Sequence, residues 1–277
     1  DLADYLSLSQ TTVSRGLAGY PEVNKLTQKR IRAAAELVNY APNNAATQLA
    51  KGQSNTIGHI IPLSHHRVIN PIYADFIAGA GEIYSRFNFD ILFSIVPQEK
   101  ELDAYQNLAN SQKVDGFVLS GPKINDERIK FLQQLEIPFL VHGRSLKANE
   151  AKKLNYNWVD VNNRQGFFEA TSYLISLGHK NIALLNGLKE QNFSVQRENG
   201  FRQAMLKNRI KPNNKWILSG EMTEYNGYHL THELLSKASR PTAILCSSSL
   251  MALGVSRALQ HKNLVLGKDI SVICWDD

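Results

Sequence analysis

The chain has little of what marks secreted, membrane or disulfide-bonded proteins. Among its 277 residues are two cysteines, Cys246 and Cys274, and both lie in apolar runs. Such cysteines are typical of buried thiols in a reducing compartment rather than of a disulfide or a metal pair. There is no secretory signal and no apolar run long enough to cross a membrane, so we expect a cytoplasmic protein without a membrane partner.

Motifs of common catalytic sites are missing as well. The sequence has no Gly-x-Ser-x-Gly elbow, no P-loop and no zinc-ligand spacing, and its carboxylates are scattered. His65 and His66 are adjacent, but no Cys or further His at ligand spacing accompanies them, so solvent-facing polar residues are the simpler interpretation. We therefore expect neither an enzyme nor a metal or cofactor site.

The composition permits two domains and an anionic partner. With 43% hydrophobic and 20% charged residues, a chain of 277 residues can bury a sizeable core and divide into roughly two domains. The formal net charge is +6, and between positions 5 and 51 six Lys or Arg accompany two Asp or Glu. This bias is compatible with phosphate contacts but does not demonstrate them.

A short helix is predicted near the start of the chain, between Ser9 and Leu17. Ser9 is a candidate N-cap, and the spacing of Val13 and Leu17 places both on the inner face. The outer face carries side chains that can bond base edges and phosphates, namely Gln10, Thr11, Ser14 and Arg15. On this stretch alone, an ordinary solvated helix face fits equally well.

The neighbouring residues favour a helix-turn-helix unit, in which the second helix enters the major groove of DNA. Residues 1–6 predict the end of a preceding helix. A third helix is predicted at 28–39, with Thr27 as its N-cap and Val38 among its inward residues.

A marginal helix follows Pro42. Residues 44–50 have helical propensity but fall short of the roughly 12 residues that an isolated helix needs, and residues 51–55 form a polar linker. We interpret this as a segment that folds when a partner is present. Leu49 is then either an apolar wedge in a DNA minor groove or an anchor on a neighbouring domain.

From Thr56 onward, strand-like and helical runs alternate, which is typical of βαβ units on parallel sheets. Strands are predicted at 57–61, 89–95, 116–119, 139–141, 157–161, 182–185, 242–246 and 270–274. Helices are predicted at 72–86, with Ile83 facing inward, and at 99–111, 125–135, 165–177, 197–208, 226–235 and 250–260. Two such sets predict two lobes with a ligand cleft at the carboxyl ends of their strands.

Several motifs together resemble the lactose/galactose repressor (LacI/GalR) family of bacterial transcription regulators. None is specific alone, but they follow the family's order and spacing over essentially the whole chain. They are Thr12-Val13-Ser14-Arg15, Tyr40-Ala41-Pro42-Asn43, Gln48-Leu49-Ala50, Asn70-Pro71-Ile72-Tyr73, Val114-Asp115-Gly116, Leu177-Gly178-His179, Arg197-Glu198-Asn199-Gly200-Phe201, Met251-Ala252-Leu253-Gly254 and Trp275-Asp276-Asp277.

The resemblance implies an α/β protein with an N-terminal helix-turn-helix three-helix domain and a two-lobed periplasmic-binding-protein-like domain of parallel sheets flanked by helices. The expected divisions are 1–41 for the DNA-binding domain, 42–55 for the hinge helix and linker, 56–159 for the N-terminal lobe and 160–277 for the C-terminal lobe. Family members begin a few residues earlier and continue past the final Asp-Asp, so we expect truncation at both ends.

The resemblance also implies DNA contacts. The expected base readers are Gln10, Thr11 and Arg15. The residues expected to contact phosphates or to hold the helix on the DNA backbone are Ser9, Thr12 and Ser14. Small hydroxyls also suit tight helix packing, which leaves a structural role open for Thr12 and Ser14. Leu49, with Ala46, is implied as the minor-groove wedge, and two hinges would lie side by side on a palindromic site.

Six residues are implied at an effector cleft: Asn70, Tyr73, Arg144, Arg197, Ser248 and Asp276. Arg197 offers a fork of donors for vicinal hydroxyls or a carboxylate, and Asp276 resembles the family's acceptor for sugar hydroxyls. A surface arginine and a helix-capping carboxylate remain the alternatives. Tyr73 either stacks on a pyranose ring or packs under its helix. Ser248 lies where this chain departs from the family. Many relatives have Asn-Asp just before the Met-Ala-Leu-Gly motif, whereas residues 247–250 here are Ser-Ser-Ser-Leu.

The implied function is a sequence-specific repressor of carbohydrate-utilisation genes. Its affinity for double-stranded operator DNA would change when a small sugar or sugar phosphate binds between the lobes. A second copy of the chain, in a homodimer or a tetramer, is the further expected partner. A purine-type effector is one alternative. A solute-binding protein of a transporter is another, although it would lack the DNA-reading residues before position 54.

Overall fold

The computed structural model of the chain describes residues 2–40, 52–63, 71–145 and 154–275. Three short helices come first, and two α/β units follow, each built on a parallel sheet. This arrangement confirms the architecture expected from the sequence. Within the described ranges, none of the helices combines the length and the apolar character needed to cross a lipid bilayer.

The three N-terminal helices pack around a small core of their own. They are α1 (Leu2–Leu6), α2 (Gln10–Leu17) and α3 (Lys25–Leu37). The buried side chains are Leu2, Ala3, Leu6, Val13, Val23, Ile31, Ala34 and Ala35. α2 and α3 approach closely at Gly16, where a Cβ would overlap the end of the Ile31 side chain. A residue without a side chain therefore lets the two helices meet.

Two expectations for α3 are wrong. The N-cap is Asn24 rather than Thr27, because the Asn24 side chain accepts a hydrogen bond from the Thr27 backbone N–H at 2.8 Å. Asn is a strong N-cap residue, and its extended backbone here starts the helix one turn earlier. Val38 is 47% exposed, since it follows the last residue of the helix and the helical spacing no longer places it inside.

The first lobe is a five-stranded sheet with helices between the strands. Its elements are β1 (Thr56–Leu63), α4 (Pro71–Arg86), β2 (Asp90–Pro97), α5 (Glu101–Asn110), β3 (Gly116–Ser120), α6 (Glu127–Gln134), β4 (Phe139–His142) and β5 (Asn157–Val159). All neighbouring strands are parallel, in the order β2-β1-β3-β4-β5. The buried core of this lobe includes Ile60, Tyr105, Phe117, Leu119, Leu132 and Val141.

Helix α4 covers the sheet less completely than its sequence pattern predicts. Phe76, Ile77 and Tyr84 are half-buried, but Ile83, which was expected to face inward, is 45% exposed. Its position is at the edge of the apolar stripe, so a small rotation of the helix turns it toward solvent.

The second lobe repeats the pattern on a four-stranded sheet. Its elements are α7 (Asn163–Ser176), β6 (Ile182–Asn186), α8 (Asn192–Lys207), β7 (Ile217–Ser219), α9 (Glu224–Leu235), β8 (Ala243–Cys246), α10 (Ser249–His261) and β9 (Ser271–Cys274). The order is β7-β6-β8-β9, again all parallel. Cys246 is buried, as expected, whereas Cys274 is only half-buried because it stands at the end of the edge strand β9.

The two lobes meet through the loops that follow β3 and β6. The backbone N–H of Ile124 donates to the carbonyl of Glu190 at 2.9 Å, and the N–H of Asn192 donates to the carbonyl of Pro122 at 3.1 Å. Because these loops extend from the carboxyl ends of their strands, the carboxyl edges of both sheets lie at one junction. This is the place where ligands bind in sheets of this kind.

Candidate functional site

The N-terminal unit presents α2 as an exposed, well-anchored helix. The Ser9 hydroxyl accepts a hydrogen bond from the Thr12 backbone N–H at 3.1 Å and lies 2.8 Å from the Thr12 hydroxyl. These two hydroxyls therefore start the helix, as a Ser N-cap does. Four predicted contact residues stand exposed on the outer face: Gln10, Thr11, Ser14 and Arg15.

Hydrogen bonds from α3 hold the loop that follows α2 and the end of α1. The Gln28 side chain donates to the carbonyls of Tyr20 at 3.0 Å and Val23 at 2.8 Å, which closes the loop between the two helices. The Arg30 guanidinium donates to the carbonyl of Leu6 at 3.0 Å. The exposed face of α2 is thus held on a three-helix support by bonds on both sides of it.

Four predicted site residues lie outside the described residues. They are Ala46 and Leu49 of the expected hinge, and Asn70 and Asp276 of the expected effector cleft.

Arg197 is held at the carboxyl edge of the second sheet. Its Nε donates to the amide oxygen of Asn163 at 2.8 Å, and one terminal nitrogen donates to the Ser247 carbonyl, just after β8, at 2.7 Å. The residue is 4% exposed, so it is a core residue of the junction rather than a surface arginine. Burial of a guanidinium is costly unless polar groups accept hydrogen bonds from its N–H groups, as Asn163 and Ser247 do here.

Three aromatic rings surround the same guanidinium. Its central carbon lies 5.1 Å from the ring centroid of Phe167, 4.8 Å from that of Phe193 and 4.9 Å from that of Trp275. Cation–π attraction and exclusion of water both fix the orientation of the fork. The result is a rigid donor group with an aromatic lining.

A line of polar side chains joins Arg197 to Arg144. Asn163, which accepts from Arg197, donates through its amide nitrogen to Asp160 at 3.2 Å. The other carboxylate oxygen of Asp160 accepts from Arg144 Nε at 2.7 Å. The Asn192 side chain also donates to the Arg144 carbonyl, across the junction. The structure thus brings two predicted effector residues into one network, through residues that the sequence analysis did not single out.

Ser248 has a structural partner in the second lobe. It is 2% exposed, and its hydroxyl accepts from the Met251 backbone N–H at 3.2 Å as the N-cap of α10. The neighbouring Ser247 hydroxyl donates to the side-chain oxygen of Asn186 at 2.7 Å. Both hydroxyls therefore have protein partners, and an effector contact by Ser248 stays a prediction.

Tyr73 turns its hydroxyl toward the sheet of the first lobe. The hydroxyl lies 2.8 Å from Nδ1 of His59 on β1, and the ring stacks against Phe76. Phe76 in turn stacks on His142 at the end of β4, with 4.0 Å between ring centroids. This geometry matches the packing alternative for Tyr73 and places His142 at the carboxyl edge.

Burial shifts the pKa values of His59, His142 and Tyr73 in this cluster of rings. It lowers the pKa of His59 to about 4, with the nearby His142 adding to the shift, and it lowers the pKa of His142 as well. Burial also raises the pKa of the Tyr73 hydroxyl. Both imidazoles are therefore neutral at pH 7 and present hydrogen-bonding nitrogens without charge.

Sequence reasoning missed Asp160, Asn163, Asn192 and His142. One signal was available, since Asp160, Asn163 and His142 lie at or just after the carboxyl ends of predicted strands, where ligand-binding side chains collect. No comparable signal marks Asn192, because the first turn of α8 was not predicted. Within the described part of the chain, the side-chain oxygen of this buried residue has no hydrogen-bond partner.

Two family profiles match the chain. Residues 1–43 match the one described as bacterial regulatory proteins, lacI family, and residues 54–276 match the one described as periplasmic binding proteins and sugar binding domain of LacI family. Together they cover the helix-turn-helix unit and both lobes.

Curated proteins with related sequences are transcriptional regulators. The chain is 38% identical over 276 residues to the HTH-type transcriptional regulator AglR of Rhizobium meliloti (strain 1021), covering 100% of this chain and 76% of that protein. It is 30% identical over 276 residues to the HTH-type transcriptional regulator RafR of Escherichia coli, covering 99% of this chain and 80% of that protein.

Solved structures with a similar fold are also transcriptional regulators. A crystal structure of the lac repressor dimer bound to operator and the anti-inducer ONPF has a TM-score of 0.86 at 26% identity, covering 100% of this chain and 81% of the other. A complex of the transcriptional regulator CelR with cellobiose has a TM-score of 0.74 at 25% identity, with coverage of 100% and 81%.

Proposed function

Because the chain belongs to the LacI family of bacterial regulatory proteins, we propose that it represses carbohydrate-utilisation genes and that a small sugar or sugar phosphate controls its affinity for operator DNA. LacI-family regulators bind operator DNA and sugar effectors and act as dimers, and this chain carries both the DNA-binding and the sugar-binding unit. The proposal adds the effector class, the target genes and the residues that make the contacts. Its site of action is the cytoplasm, where bacterial DNA lies.

The DNA contacts are assigned to the outer face of α2. Gln10, Thr11 and Arg15 read bases, because their exposed side chains carry the donors and acceptors that major-groove edges require. Ser14 contacts phosphate, and Ser9 with Thr12 holds the start of the helix against the DNA backbone. Ala46 and Leu49, outside the described residues, are the proposed minor-groove contacts of the hinge.

The observation that carries the effector proposal is the caged guanidinium of Arg197. Planar donors among aromatic rings at the carboxyl edge suit a pyranose, which offers paired hydroxyls to the fork and an apolar face to the rings. Arg144 supplies a second guanidinium from the first lobe, and Ser248, Asn70 and Asp276 are the remaining proposed contacts. Tyr73 is assigned the packing role, since its hydroxyl lies against His59 and its ring against Phe76. A sugar held by both lobes would favour one arrangement of the junction over another.

Two experiments test the proposal with the full-length protein. Selection from a random duplex library should enrich a palindromic sequence, bound less tightly as salt is raised. A thermal-shift panel of glucose, galactose, maltose, lactose, melibiose and cellobiose, each with its 6-phosphate where one exists, should contain at least one stabilising compound. That compound should also change the affinity for the selected duplex.

Three other outcomes would each overturn part of the proposal. Failure to enrich any duplex would overturn the DNA-binding proposal. Stabilisation by adenine, guanine or hypoxanthine, with none by the sugars, would replace the sugar effector by a purine. Binding of a sugar without any change in DNA affinity would indicate a binding protein that does not regulate.

A further inference from the structure

The last two residues of the linker, Ser54 and Asn55, are held by the carboxylate of Asp115, an arrangement called the carboxylate clamp below. Asp115, in the turn before β3, accepts hydrogen bonds from the Ser54 backbone N–H at 2.7 Å and the Ser54 hydroxyl at 2.9 Å through one carboxylate oxygen. Its second oxygen accepts from the Asn55 backbone N–H at 2.8 Å. Three donors from two consecutive residues thus converge on one side chain.

The clamp fixes the direction in which the linker enters the sheet. Ser54 is 4% exposed, although it precedes the first strand. Asn55 has a left-handed backbone with φ of 48°, and its carbonyl accepts from the Asp90 N–H at 2.7 Å. The Asp115 N–H donates to the carbonyl of Thr56 at 2.8 Å. Residues on both sides of β1 therefore hold the last two residues of the linker.

The strand that follows Asp115 leads directly to the junction between the lobes. β3 is buried over most of its length and spans about 17 Å at the rise of a parallel strand. Beyond it, the loop that begins at Gly121 carries Pro122 and Ile124, whose backbones bond to the second lobe. One short, rigid strand thus has the linker at its amino end and the lobe contact at its carboxyl end.

The loop at the carboxyl end of β3 is also held in place by buried side chains. Asp126 accepts from the Lys123 N–H at 2.8 Å and pairs with Arg128 at 2.7 Å, and Arg128 also pairs with Glu101 at 2.7 Å. These ion-paired side chains are largely buried, so the loop moves with the body of the lobe rather than independently. A displacement of the loop at the junction would therefore move β3 as well, because the loop is fixed to the rest of the lobe.

We propose that Asp115 is a positioning residue that couples the lobe junction to the DNA-binding domain, by fixing the linker residues Ser54 and Asn55 to the amino end of β3. The proposal rests on the proposed function, since it concerns how effector binding reaches the DNA. Asp115 lies at the amino end of β3, whereas the proposed effector cleft lies at the carboxyl edge of the sheet.

The test is the Asp115→Asn variant of the full-length protein. An amide keeps the size of the side chain, but its NH2 group cannot accept, so at least one of the linker N–H bonds is lost. We expect amide hydrogen exchange of a peptide covering 52–56 to accelerate at least tenfold. Affinity for the selected duplex should fall about fivefold, and the change in that affinity caused by the stabilising sugar should shrink toward none. Binding of that sugar itself should stay within twofold.

Asp269→Asn is the matched control. Its carboxylate also accepts a backbone N–H, that of Val265, but in the second lobe and away from the linker. This variant should show wild-type sugar response and wild-type exchange at 52–56. Ser54→Ala removes one of the three bonds and should give an intermediate loss of coupling.

Separate results would overturn the inference and the proposed function. Unchanged exchange at 52–56 in Asp115→Asn would show that the clamp does not hold the linker in solution. Faster exchange with a full sugar response would make the clamp structural and not part of the coupling. Loss of coupling in Asp269→Asn as well would also refute a specific role for Asp115. A wild-type protein that selects no duplex would refute the proposed function. The exchange measurement would still test whether Asp115 holds the linker.

Discussion

Arg144 Nε lies 2.7 Å from a carboxylate oxygen of Asp160, and this pair stands where the first lobe passes into the second. The main chain of Arg144 is tied to the second lobe as well, through the side chain of Asn192. Arg144 thus bonds across the junction through its backbone, while its guanidinium pairs with the residue that follows the last strand of the first sheet. Any effector that inserts beside it must compete with these bonds or add to them, which is how binding energy can alter lobe geometry.

Arg197→Lys should weaken sugar binding without affecting DNA binding in the absence of sugar. Lysine keeps the charge but lacks the planar fork that now bonds Asn163 and Ser247. We expect a loss of at least tenfold in affinity for the stabilising sugar by calorimetry. Arg202→Lys, on the same helix and paired with Glu198, is the control and should bind normally. Equal affinity in both variants would remove Arg197 from the site.

Arg15→Ala should weaken and relax the choice of DNA sequence. If the guanidinium contacts a guanine edge, its loss costs about 1–3 kcal/mol and removes the preference at one base pair. Competition binding with single-base variants of the selected duplex measures both effects. Lys130→Ala, an exposed charge change on the first lobe, should leave them unaltered. A uniform loss across all duplex variants would indicate a phosphate contact instead.

Gly254→Ala should destabilise the second lobe. α9 and α10 cross so closely that a Cβ at Gly254 would overlap the carbonyl oxygen of Glu224 and the backbone nitrogen of Tyr228. Backbone atoms cannot move aside cheaply, so we expect a loss of about 3 kcal/mol in the free energy of unfolding. Gly79→Ala, in α4 with open space around it, should instead stabilise by up to about 1 kcal/mol. Denaturant titration compares the two, and equal stability would contradict the crossing geometry.

The first lobe should lose stability as the pH falls from about 6.5 to about 4. The pKa of His59 is lowered to about 4 by burial, whereas the unfolded chain has an ordinary histidine pKa. In this interval the unfolded state binds more protons, so acid favours unfolding, by at most about 3 kcal/mol from this residue. Unfolding free energies at pH 7 and pH 4.5 should differ less in His59→Gln. The exposed His232→Gln should behave like wild type, and an undiminished difference in His59→Gln would assign the effect elsewhere.

Local features were predictable from the sequence because neighbouring residues determine them. Ser9 as an N-cap and the exposed face from Gln10 to Arg15 follow from the spacing within one short helix. The alternation of apolar runs predicted the parallel sheets, since buried parallel strands have continuous apolar sequences. β7 was missed because three residues, Ile217–Ser219, are too few to form a recognisable run.

Features that depend on distant residues were not predictable in the same way. Asp115 was recognised as part of a motif, but its three donors lie 60 and 61 positions earlier in the chain. The network from Arg144 to Arg197 needs Asp160 and Asn163 to fall between two sheets, and no periodic pattern encodes that placement. Asn192 was missed because the predicted helix began at position 197, five residues after the observed start of α8.

The strand order of the first sheet has a consequence for synthesis on the ribosome. β1 lies between β2 and β3, so it cannot be fully paired until the chain has been made past Ser120. The three N-terminal helices, in contrast, bury their core with residues no further along than Ala35. Because local contacts form faster than distant ones, we expect these helices to fold while the sheet is still incomplete. A nascent chain then acquires its DNA-binding surface before the lobes that regulate it exist.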